Sequence, residues 1–319
     1  MLDATPLLRL YARHRGRRLA SLDPVATQLA QMRGLVRAAR DTRFGRDHGF
    51  EEIETVADFQ ARVPLRHYDD FWQTYWQDAF PRLNDLTWPG PMPYFAVSSG
   101  TTQGTTKYLP VSEAMVASNR KAAADLLVHH IANRPHSRLL AGRSFMLGGS
   151  VDLVEEAPGV MSGDLSGIAA RTMPWWARLR SFPPRELEAI SDWEEKIERF
   201  AQAALDADIR AIGGVPSWML IFFEKLAELK GETSFHINML DENFELLIHG
   251  GVNFDPYRDR FAQLLENSSA KTREVYPASE GFFAIADRGD GDGMRLNLDH
   301  GLFYEFVPVD ELDKANPTR

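Results

Sequence analysis

The sequence predicts an α/β fold in which mixed β-sheets are layered with helices, with a small β-barrel or meander near the C-terminus. The first observation is an alternation that occurs three times: a short apolar strand, a glycine pair and then a helix. Helices that cross over between parallel strands produce this alternation, and ligands of such sheets bind at the carboxyl ends of the strands. The second observation is a change after Thr272, where strand segments are separated by turns. The glycine pairs therefore mark the expected ligand edge; they are Gly148 and Gly149, Gly213 and Gly214, and Gly250 and Gly251.

Caps and apolar spacing predict where the elements lie. Asp23 is typical of an N-cap and Pro24 of the first helical position, and apolar residues then recur at helical spacing up to a loop at residues 42–49. Ser112 is predicted to cap a long helix that reaches about residue 132. Further helices are predicted at residues 193–204, after Pro216 and after Pro256, and strands at residues 94–97, 145–147, 209–212, 246–248, 274–276, 282–287, 294–298 and 302–308.

Charge and composition narrow the classes of partner. The chain has 36 basic and 45 acidic residues, a net charge of -9 that is a poor match for the phosphates of nucleic acid. There is no cysteine, which excludes disulfides, thiolate metal sites and a cysteine nucleophile. The sequence contains no apolar run typical of a membrane-spanning helix or a signal peptide, so we expect a cytoplasmic protein without a membrane partner.

The N-terminal residues 1–41 are predicted to form a helical arm that precedes a large domain at residues 42–319. A cluster of arginines lies before Asp23, and Asp3 and the lack of a serine-rich run favour a solvated helix over a transit peptide or a membrane-surface helix. The cluster consists of Arg9, Arg13, Arg15, Arg17 and Arg18.

A loop rich in hydroxyl groups follows the strand predicted at residues 94–97. Residues 95–110 read FAVSSGTTQGTTKYLP. Glycines let backbone N–H groups approach an anion, and hydroxyl groups donate further hydrogen bonds to phosphate oxygens. The spacing of Gly100, Gly104 and Lys107 excludes a Walker-type P-loop, and a flexible surface loop is the alternative on composition alone. The segment is therefore a candidate phosphate-binding loop.

A second candidate motif lies at the end of a later strand. Tyr276 offers a ring that can stack on a base, Ser279 a hydroxyl group, and Glu280 a carboxylate that can bind Mg²⁺. Pro277 holds Tyr276 in an extended backbone conformation. Taken alone, the same residues are also compatible with a core tyrosine and a solvated glutamate.

The two motifs together resemble those of adenylate-forming enzymes. The first resembles their phosphate loop and the second their later nucleotide motif. More narrowly, the chain is similar to the acyl-acid amido synthetases, the auxin-responsive family of plants with bacterial relatives. The likeness runs over residues 42–308 and includes the segments TRFGRDHG at 42–49, KYLPVS at 107–112, GGS at 148–150, GGVPS at 213–217 and HGGVN at 249–253.

This resemblance implies an enzyme that uses ATP and Mg²⁺ to activate a carboxylic acid as an acyl-adenylate, and then transfers the acyl group to an amine, usually of an amino acid. The large domain at residues 42–319 would be the adenylating domain. A carboxylate nucleophile is ionised at pH 7 because its reference pKa is about 4, so the chemistry needs no catalytic triad. Positioning and positive potential would carry the reaction.

The resemblance also implies roles for individual residues. The phosphates would be bound by Ser98, Ser99, Gly100, Thr101 and Thr102, with Lys107 helping to neutralise them. Gly250, Gly251 and Val252 would line the adenine, Tyr276 would stack on it, Ser279 would lie near the α-phosphate, and Glu280 would hold Mg²⁺. The expected catalytic residues are Ser99, Thr102, Lys107 and Glu280.

The acyl pocket is less closely defined by the sequence. The candidates are residues 173–176 with Arg171 or Arg178, and residues 215–219, against ordinary packing of the same residues. Trp175 and Trp176 are expected to be a buried anchor, His129 and His130 to face different directions on a helix, and residues 287–293 to form a glycine-rich hairpin turn and not a calcium loop.

Two other functions remain open on the sequence alone. One is ligation of the acid to coenzyme A, and the other is a nucleotide-binding module that holds ATP without turnover. The resembling enzymes continue into a hinge and a small mobile domain, so we expect this chain to be a truncated large domain.

Overall fold

The computed structural model describes residues 2–99, 106–188, 190, 192–312, 314 and 317–319. The chain forms two compact units: unit 1 is Met1–Ser21 with Met92–Leu296, and unit 2 is Leu22–Pro91 with Asn297–Arg319. The predicted division at residue 41 does not coincide with a boundary between these units, because residues 1–21 belong to unit 1 and residues 22–41 to unit 2. A helical arm followed by an adenylating domain therefore remains a prediction.

Helices and strands alternate along much of the chain. The helices are α1 (Thr5–Ala20), α2 (Pro24–Ala39), α3 (Arg43–Asp47), α4 (Val56–Arg62), α5 (Tyr68–Phe71), α6 (Glu113–Asn133), α7 (Leu165–Thr172), α8 (Trp175–Arg178), α9 (Arg185–Glu188), α10 (Trp193–Ala204), α11 (Pro216–Lys230) and α12 (Arg258–Leu264). The strands are β1 (Tyr94–Ser99), β2 (Thr106–Val111), β3 (Arg143–Leu147), β4 (Leu153–Ala157), β5 (Val160–Gly163), β6 (Ser181–Phe182), β7 (Ile209–Gly214), β8 (Leu246–Gly250), β9 (Lys271–Ala278), β10 (Gly281–Ile285) and β11 (Arg295–Leu296). Short 3₁₀ segments lie at Phe50–Glu52, Leu139–Ala141, Ile237–Met239, Asp255–Tyr257 and Val309–Glu311, and a π-helical turn lies at Trp72–Trp76.

Unit 1 is built on a seven-stranded mixed sheet with the order β11-β10-β9-β8-β7-β3-β6. Strands β6, β3, β7, β8 and β9 pair in parallel, and β10 and β11 are added antiparallel at one edge. The predicted alternation is confirmed, since β3, β7 and β8 each end at a glycine pair and are joined by helices. The α/β prediction is therefore correct.

The C-terminal strands form a meander that continues the main sheet. The strand predicted at residues 302–308 was wrong, because the described chain there has no strand. The backbone N–H of Tyr304 donates instead to the side chain of Gln28 at 2.9 Å, and Phe303 packs edge-on against Phe59, all within unit 2. Residues 303 and 304 are thus held by contacts with side chains of unit 2 and not by backbone pairing with a strand.

Apolar clusters lie on both faces of the seven-stranded sheet. Leu247 on β8 joins a large cluster with residues of α10, α11 and α12, such as Phe222 and Phe261. Its neighbours Leu246 and Ile248 join a second cluster that includes Leu126 of α6. Successive side chains of a strand point to opposite faces, so β8 is apolar at consecutive positions because both faces are covered.

A second, four-stranded sheet in unit 1 has the order β2-β1-β5-β4. Strands β1 and β5 are parallel, and the other two pairs are antiparallel. Its apolar residues Ala96 and Val111 pack with Val116 of α6 and Ile168 of α7. The N-cap predicted at Ser112 is confirmed, because its side chain accepts a hydrogen bond from the backbone N–H of Met115 at 3.2 Å.

The arginine-rich N-terminal helix belongs to unit 1 and is only partly solvated. Arg15 is 5% exposed and donates two hydrogen bonds to Asp125 of α6, at 2.8 and 2.6 Å. The expectation of a solvated helix was therefore wrong at Arg15, because a carboxylate on α6 compensates the buried guanidinium.

Unit 2 is a helical unit around an aromatic cluster. The cap predicted for α2 is confirmed, since the Asp23 side chain accepts a hydrogen bond from the backbone N–H of Ala26 at 2.7 Å. Phe44 packs against Phe50 and Tyr75 in edge-on contacts. Across the described ranges of both units, no helix combines the length and apolarity needed to cross a membrane.

Candidate functional site

The carboxyl ends of β7, β8 and β9 lie side by side in the seven-stranded sheet. Gly214 is paired with His249, and Gly250 is paired with Val275, one residue before Tyr276. The structure thus brings together three segments singled out in the sequence: the turn after Gly214, residues 250–252, and Tyr276. Gly251 and Val252 are exposed beyond the end of β8, so backbone groups at this edge are accessible to a ligand.

Two glycines at the end of β8 are required by geometry. A Cβ atom at Gly250 would lie 2.3 Å from the carbonyl oxygen of Val275, which is far inside van der Waals contact. Gly251 has φ +83°, a backbone conformation that side chains with a Cβ disfavour. Strand β8 therefore approaches β9 closely and then turns sharply at its carboxyl end.

A buried pair of side chains, His249 and Asp290, holds the end of β8 in place. His249, which is fully buried, lies with Nε2 2.7 Å from Oδ2 of Asp290, and its ring stacks on Phe254 at 3.6 Å. Oδ1 of Asp290 accepts a hydrogen bond from the backbone N–H of Glu274 at 2.6 Å. Burial raises the pKa of Asp290, but the hydrogen bonds from His249, Thr272 and Glu274 outweigh it and hold the pKa below its usual range. The glycine-rich turn predicted at residues 287–293 connects β10 and β11. Its Asp290 contacts both β8, through His249, and β9, through the backbone of Glu274.

The predicted nucleotide motif forms the tip of a hairpin. Ala278 of β9 pairs with Gly281 of β10, so Ser279 and Glu280 are the two residues of the connecting turn. Tyr276 is 52% exposed, and its ring contacts Phe283 at 5.3 Å between centroids and 68° between planes. The tyrosine ring is supported by this contact while much of the side chain is open to solvent. Glu280 is exposed at the end of the turn.

The first part of the predicted phosphate loop lies on β1 and β2 of the four-stranded sheet. Ser98 is paired with Lys107, and both side chains are half-buried. Ser99 and Thr106 are also partners, so the two ends of the connecting segment are adjacent. Gly100, Thr101 and Thr102, on which the prediction largely depends, lie outside the described residues.

A direct contact joins the carboxyl ends of the two sheets within unit 1. Ala96 of β1 pairs with Gly163 of β5, and the next residue, Asp164, accepts a hydrogen bond from the backbone N–H of Ser150 at 2.9 Å. Ser150 follows the glycine pair at the end of β3. The carboxyl end of β5, which pairs with β1, is therefore linked to the glycine-rich edge of the larger sheet by this hydrogen bond.

The segment that contains β1, β2 and the glycine pair after β3 has a known counterpart. Residues 18–150 match the GH3 family N-terminal domain. The matched segment includes TRFGRDHG, KYLPVS and GGS, on which the family resemblance was based. The matched segment is less than half of the chain.

Solved structures of adenylate-forming enzymes share the fold. AtGH3.15 acyl acid amido synthetase in complex with 2,4-DB has a TM-score of 0.70 at 13% sequence identity, and the alignment covers 83% of this chain and 54% of that one. A second structure of GH3.15 acyl acid amido synthetase has a TM-score of 0.62 at 13% identity, with the same coverage of 83% and 54%. An open conformation of 2-hydroxyisobutyryl-CoA ligase, in complex with 2-HIB-AMP and CoA, has a TM-score of 0.55 at 18% identity and covers 83% and 57%.

These similarities establish the fold as that of the large domain of adenylate-forming enzymes, which confirms the predicted fold class. The chain spans about half the length of the solved structures that it matches. No curated protein sequence matches it.

The first acyl-pocket candidate of this GH3-like fold is largely at the surface. Trp175 and Trp176 are 76% and 55% exposed, so the expectation of a buried anchor was wrong. They lie on α8, which is only four residues long and has no buried residue. Nη1 of Arg178 lies 3.7 Å from Oε2 of Glu188, and its guanidinium group donates a hydrogen bond to the carbonyl oxygen of Ala170.

The second candidate, at residues 215–219, is divided between the core and a cavity. Met219 is fully buried in the main apolar cluster. Trp218 is half-buried and lines a cavity of about 380 Å³. The lining of this cavity, which we name the Lys196 pocket, consists of Gly149, Ser150, Asp152, Ile190, Trp193, Lys196 and Trp218.

Sequence reasoning missed Lys196 as a residue of interest. The signal was present, because Trp193, Ile197 and Phe200 mark the apolar face of α10 and a residue three positions after Trp193 falls on the same face. A lysine inside an apolar stripe is a departure from the usual pattern.

Proposed function

We propose that this chain takes part in ATP-dependent ligation, in which a carboxylic acid is activated as an acyl-adenylate and then transferred to the amine of an amino acid to form an amide. The observation that supports it best is the shared edge of β8 and β9, where Gly250, Gly251 and Val252 lie beside Tyr276. The GH3 match and the fold support the same reaction class.

The residues at this edge suit an adenine base. The exposed ring of Tyr276 offers a face for stacking, since its contact with Phe283 is edge-on. The exposed backbone around Gly251 offers polar groups to the edge of the base. Ser279, at the tip of the neighbouring turn, would lie near the α-phosphate.

The phosphates require positive charge and backbone donors. We assign phosphate binding to the segment that begins at Ser98 and Ser99 and includes Gly100, Thr101 and Thr102. Lys107 is the strand partner of Ser98. Glu280 is an exposed carboxylate at the tip of the hairpin between β9 and β10, and Mg²⁺ is usually held by one or two carboxylates together with phosphate oxygens. The residues present therefore fit MgATP.

The proposed first step needs only positioned charge. One oxygen of the ionised acid attacks the α-phosphorus of ATP, an O–P bond forms, and the bond to the β-phosphate oxygen breaks with release of pyrophosphate. In the second step, the amine nitrogen bonds to the acyl carbon, the bond from that carbon to the phosphate oxygen of AMP breaks, and AMP and one amine proton leave. Lys107, the loop and Mg²⁺ at Glu280 would offset the repulsion between the two anions.

A thioester product is a second candidate. The specific observation is that the fold is also shared with 2-hydroxyisobutyryl-CoA ligase, at a TM-score of 0.55. Coenzyme A would then replace the amino acid as the acceptor, with the same first step.

Carboxylate-dependent exchange of labelled pyrophosphate into ATP tests the proposed first step. The chain is assayed with a panel of aryl, indole and aliphatic acids, and we expect exchange with at least one class. Addition of amino acids or of coenzyme A, with product analysis by mass spectrometry, separates the amide from the thioester. Binding of ATP without exchange for any acid would contradict the proposal and favour a nucleotide-binding module.

Replacement of the proposed metal-binding carboxylate gives the first mutational prediction. We expect Glu280→Ala to lower the exchange rate by roughly 100-fold or more, as expected for loss of one transition-state stabilising group, and to weaken Mg²⁺-dependent ATP binding. Glu242→Ala is the matched control, since Glu242 is also an exposed glutamate in a turn of unit 1. Equal behaviour of the two variants would exclude Glu280 as the metal-binding residue.

A further inference from the structure

The side chain of Lys196 is largely packed against other residues, and no counter-charge for it lies among the described residues. Its residue is 8% exposed, and its Nζ lies 6.0 Å from the centroid of the Phe200 ring, which itself is buried. Within the described ranges of the chain, no carboxylate oxygen lies within 4.0 Å of Nζ and no hydrogen bond of this lysine is found. Its Nζ is not one of the buried side-chain atoms that lack a hydrogen-bond partner, so the ammonium group reaches solvent while the rest of the side chain is packed.

The position of Lys196 on α10 makes this arrangement informative. A lysine on an apolar helix face usually extends its side chain so that the charged end reaches bulk water. Lys196 fits this pattern: it borders the Lys196 pocket beside Trp193 and Trp218, and its Nζ lies 6.0 Å from the centroid of the Phe200 ring. The pocket is thus the space in which an anion could approach the ammonium group.

The walls of the pocket define the body of the ligand. The indole rings of Trp193 and Trp218 lie 5.3 Å apart and are inclined by 54°, which gives an apolar aromatic surface next to the cation. Ser150 adds a hydroxyl group to the lining. Asp152 also lines the pocket, but it is exposed, so solvent screens its repulsion of an anion. The lining fits a ring-bearing body that ends in a carboxylate.

The pocket adjoins the proposed nucleotide edge. Leu147, before the glycine pair of β3, pairs with Gly214 of β7, and β7 is next to β8. A Cβ atom at Gly149 would contact Trp218 at 3.8 Å, and one at Gly251 would lie 3.9 Å from Val215. Two strand spacings separate β3 from β8, which corresponds to roughly 10 Å. A single acid molecule could span this distance.

We propose that the Lys196 pocket is an anion subsite for the distal carboxylate of an aromatic or other ring-bearing dicarboxylic acid, whose other carboxylate is the one activated. This inference rests on the proposed function, because the reacting carboxylate must be at the nucleotide and cannot also pair with Lys196. A second negative charge on the substrate then pairs with the ammonium group of Lys196 in the pocket. Lys196 thereby determines which acids are accepted, and it takes no part in the bond-making step.

Calorimetric titration of the chain with naphthalene-2,6-dicarboxylate and with 2-naphthoate tests the inference without ATP. We expect the diacid to bind at least tenfold more tightly than the monoacid, equivalent to about 1.4 kcal/mol. Lys196→Met keeps an unbranched apolar side chain that lacks only the terminal ammonium group, and we expect it to abolish this preference. The matched control is Arg199→Met, which removes an exposed charge from the same helix and should retain the preference.

A second measurement does not depend on the folding of a variant. Reductive methylation of the wild-type chain, read by mass spectrometry, should modify Lys196 more slowly when the diacid is present than when the monoacid is present. Equal binding of both acids, equal binding of the diacid to wild type and Lys196→Met, or absence of protection at Lys196 would overturn the inference.

Pyrophosphate exchange with the same two acids separates this inference from the proposed function. Exchange with monoacids together with Lys196-independent binding would overturn the subsite and leave adenylation intact. Lys196-dependent binding of the diacid without exchange for any acid would support the anion site and contradict adenylation. Exchange that prefers the diacid in wild type but not in Lys196→Met would support both.

Discussion

At the scale of single residues, the close approach of β8 to β9 is the feature on which the candidate site most depends. Gly250 has no room for a Cβ atom, since the nearest obstacle is the backbone oxygen of Val275 and not a flexible side chain. Gly251, in contrast, has space but an unusual φ angle. The two adjacent glycines are thus required for different reasons, one of packing and one of backbone conformation.

The second mutational prediction follows from this difference. We expect Gly250→Ala to lower the free energy of unfolding by about 1–3 kcal/mol, because overpacking forces the backbone to shift, and to weaken ATP binding. The control is Gly231→Ala, at the C-terminus of α11, where φ is +71° and no atom lies near the added Cβ. It should cost about 1 kcal/mol through backbone strain and leave ATP binding unchanged. Urea unfolding and nucleotide titration measure both effects, and an unaltered ATP affinity in Gly250→Ala would contradict this account of the site.

At the scale of elements, the packing of α1 on α6 depends on an ion pair in a buried setting. Arg15 and Asp125 are joined by two hydrogen bonds, and their side chains are 6% and 1% exposed. Removal of one partner of such a pair is far more damaging than removal of a surface charge, because the other charge stays buried.

The third mutational prediction tests that packing. We expect Arg15→Met to lower the free energy of unfolding by about 3 kcal/mol, since Asp125 loses its guanidinium partner. The control is Arg13→Met on the same helix, whose arginine is exposed, and its effect should stay within about 0.5 kcal/mol. Both values are obtained from urea unfolding. Similar values for the two variants would show that Arg15 is solvated in solution.

Sequence reasoning identified most elements because their signals are local. The caps at Asp23 and Ser112, and the strand ends at glycine pairs, depend on hydrogen bonds and backbone conformations within a few residues. The candidate nucleotide residues on β8 and β9 were also found, since each follows a strand whose end is visible in sequence.

The features that sequence reasoning missed depend on distant partners. The burial of Arg15 requires Asp125, which is 110 residues away, although Arg15 shares a helix face with the buried Leu8 and Ala12. The exposure of Trp175 and Trp176 depends on how little covers α8, which no local pattern reveals. Lys196 faces a cavity whose walls come from three separate segments. Tertiary contacts decide each of these outcomes.

At the scale of the whole molecule, two carboxylates with lowered pKa values, Asp290 and Glu245, make the free energy of unfolding depend on pH. Asp290 is held by His249 and by the backbone N–H of Glu274. Burial raises the pKa of Glu245, but hydrogen bonds from His130, Ser137 and the backbone N–H of Arg138 outweigh it and lower the pKa. Groups with a lowered pKa in the folded state stabilise it above their unfolded pKa, and this contribution disappears as pH falls through the folded value.

The corresponding prediction concerns the pH dependence of unfolding. We expect the free energy of unfolding to fall below about pH 4, because the ordinary pKa values of Asp and Glu are about 3.9 and 4.3. The double variant Asp290→Asn with Glu245→Gln should be less stable than wild type at pH 7, and the difference should narrow toward pH 3. Urea unfolding at several pH values measures this. A constant difference across this range would mean that the two carboxylates keep their ordinary pKa values in the fold.

The segments of the two units alternate along the sequence, and this has a consequence for folding during synthesis. Unit 1 begins with Met1–Ser21, is interrupted by residues 22–91 and resumes at Met92, while unit 2 is completed only by its last segment, Asn297–Arg319. During synthesis, α1 must therefore wait for α6, and α2 to α5 must wait for residues 297–319. Each unit closes through contacts between segments far apart in sequence, which slows folding and prolongs the exposure of apolar surface on the nascent chain. For the same reason, neither unit can be isolated as one continuous fragment of the gene, and limited proteolysis between units would need more than a single cut.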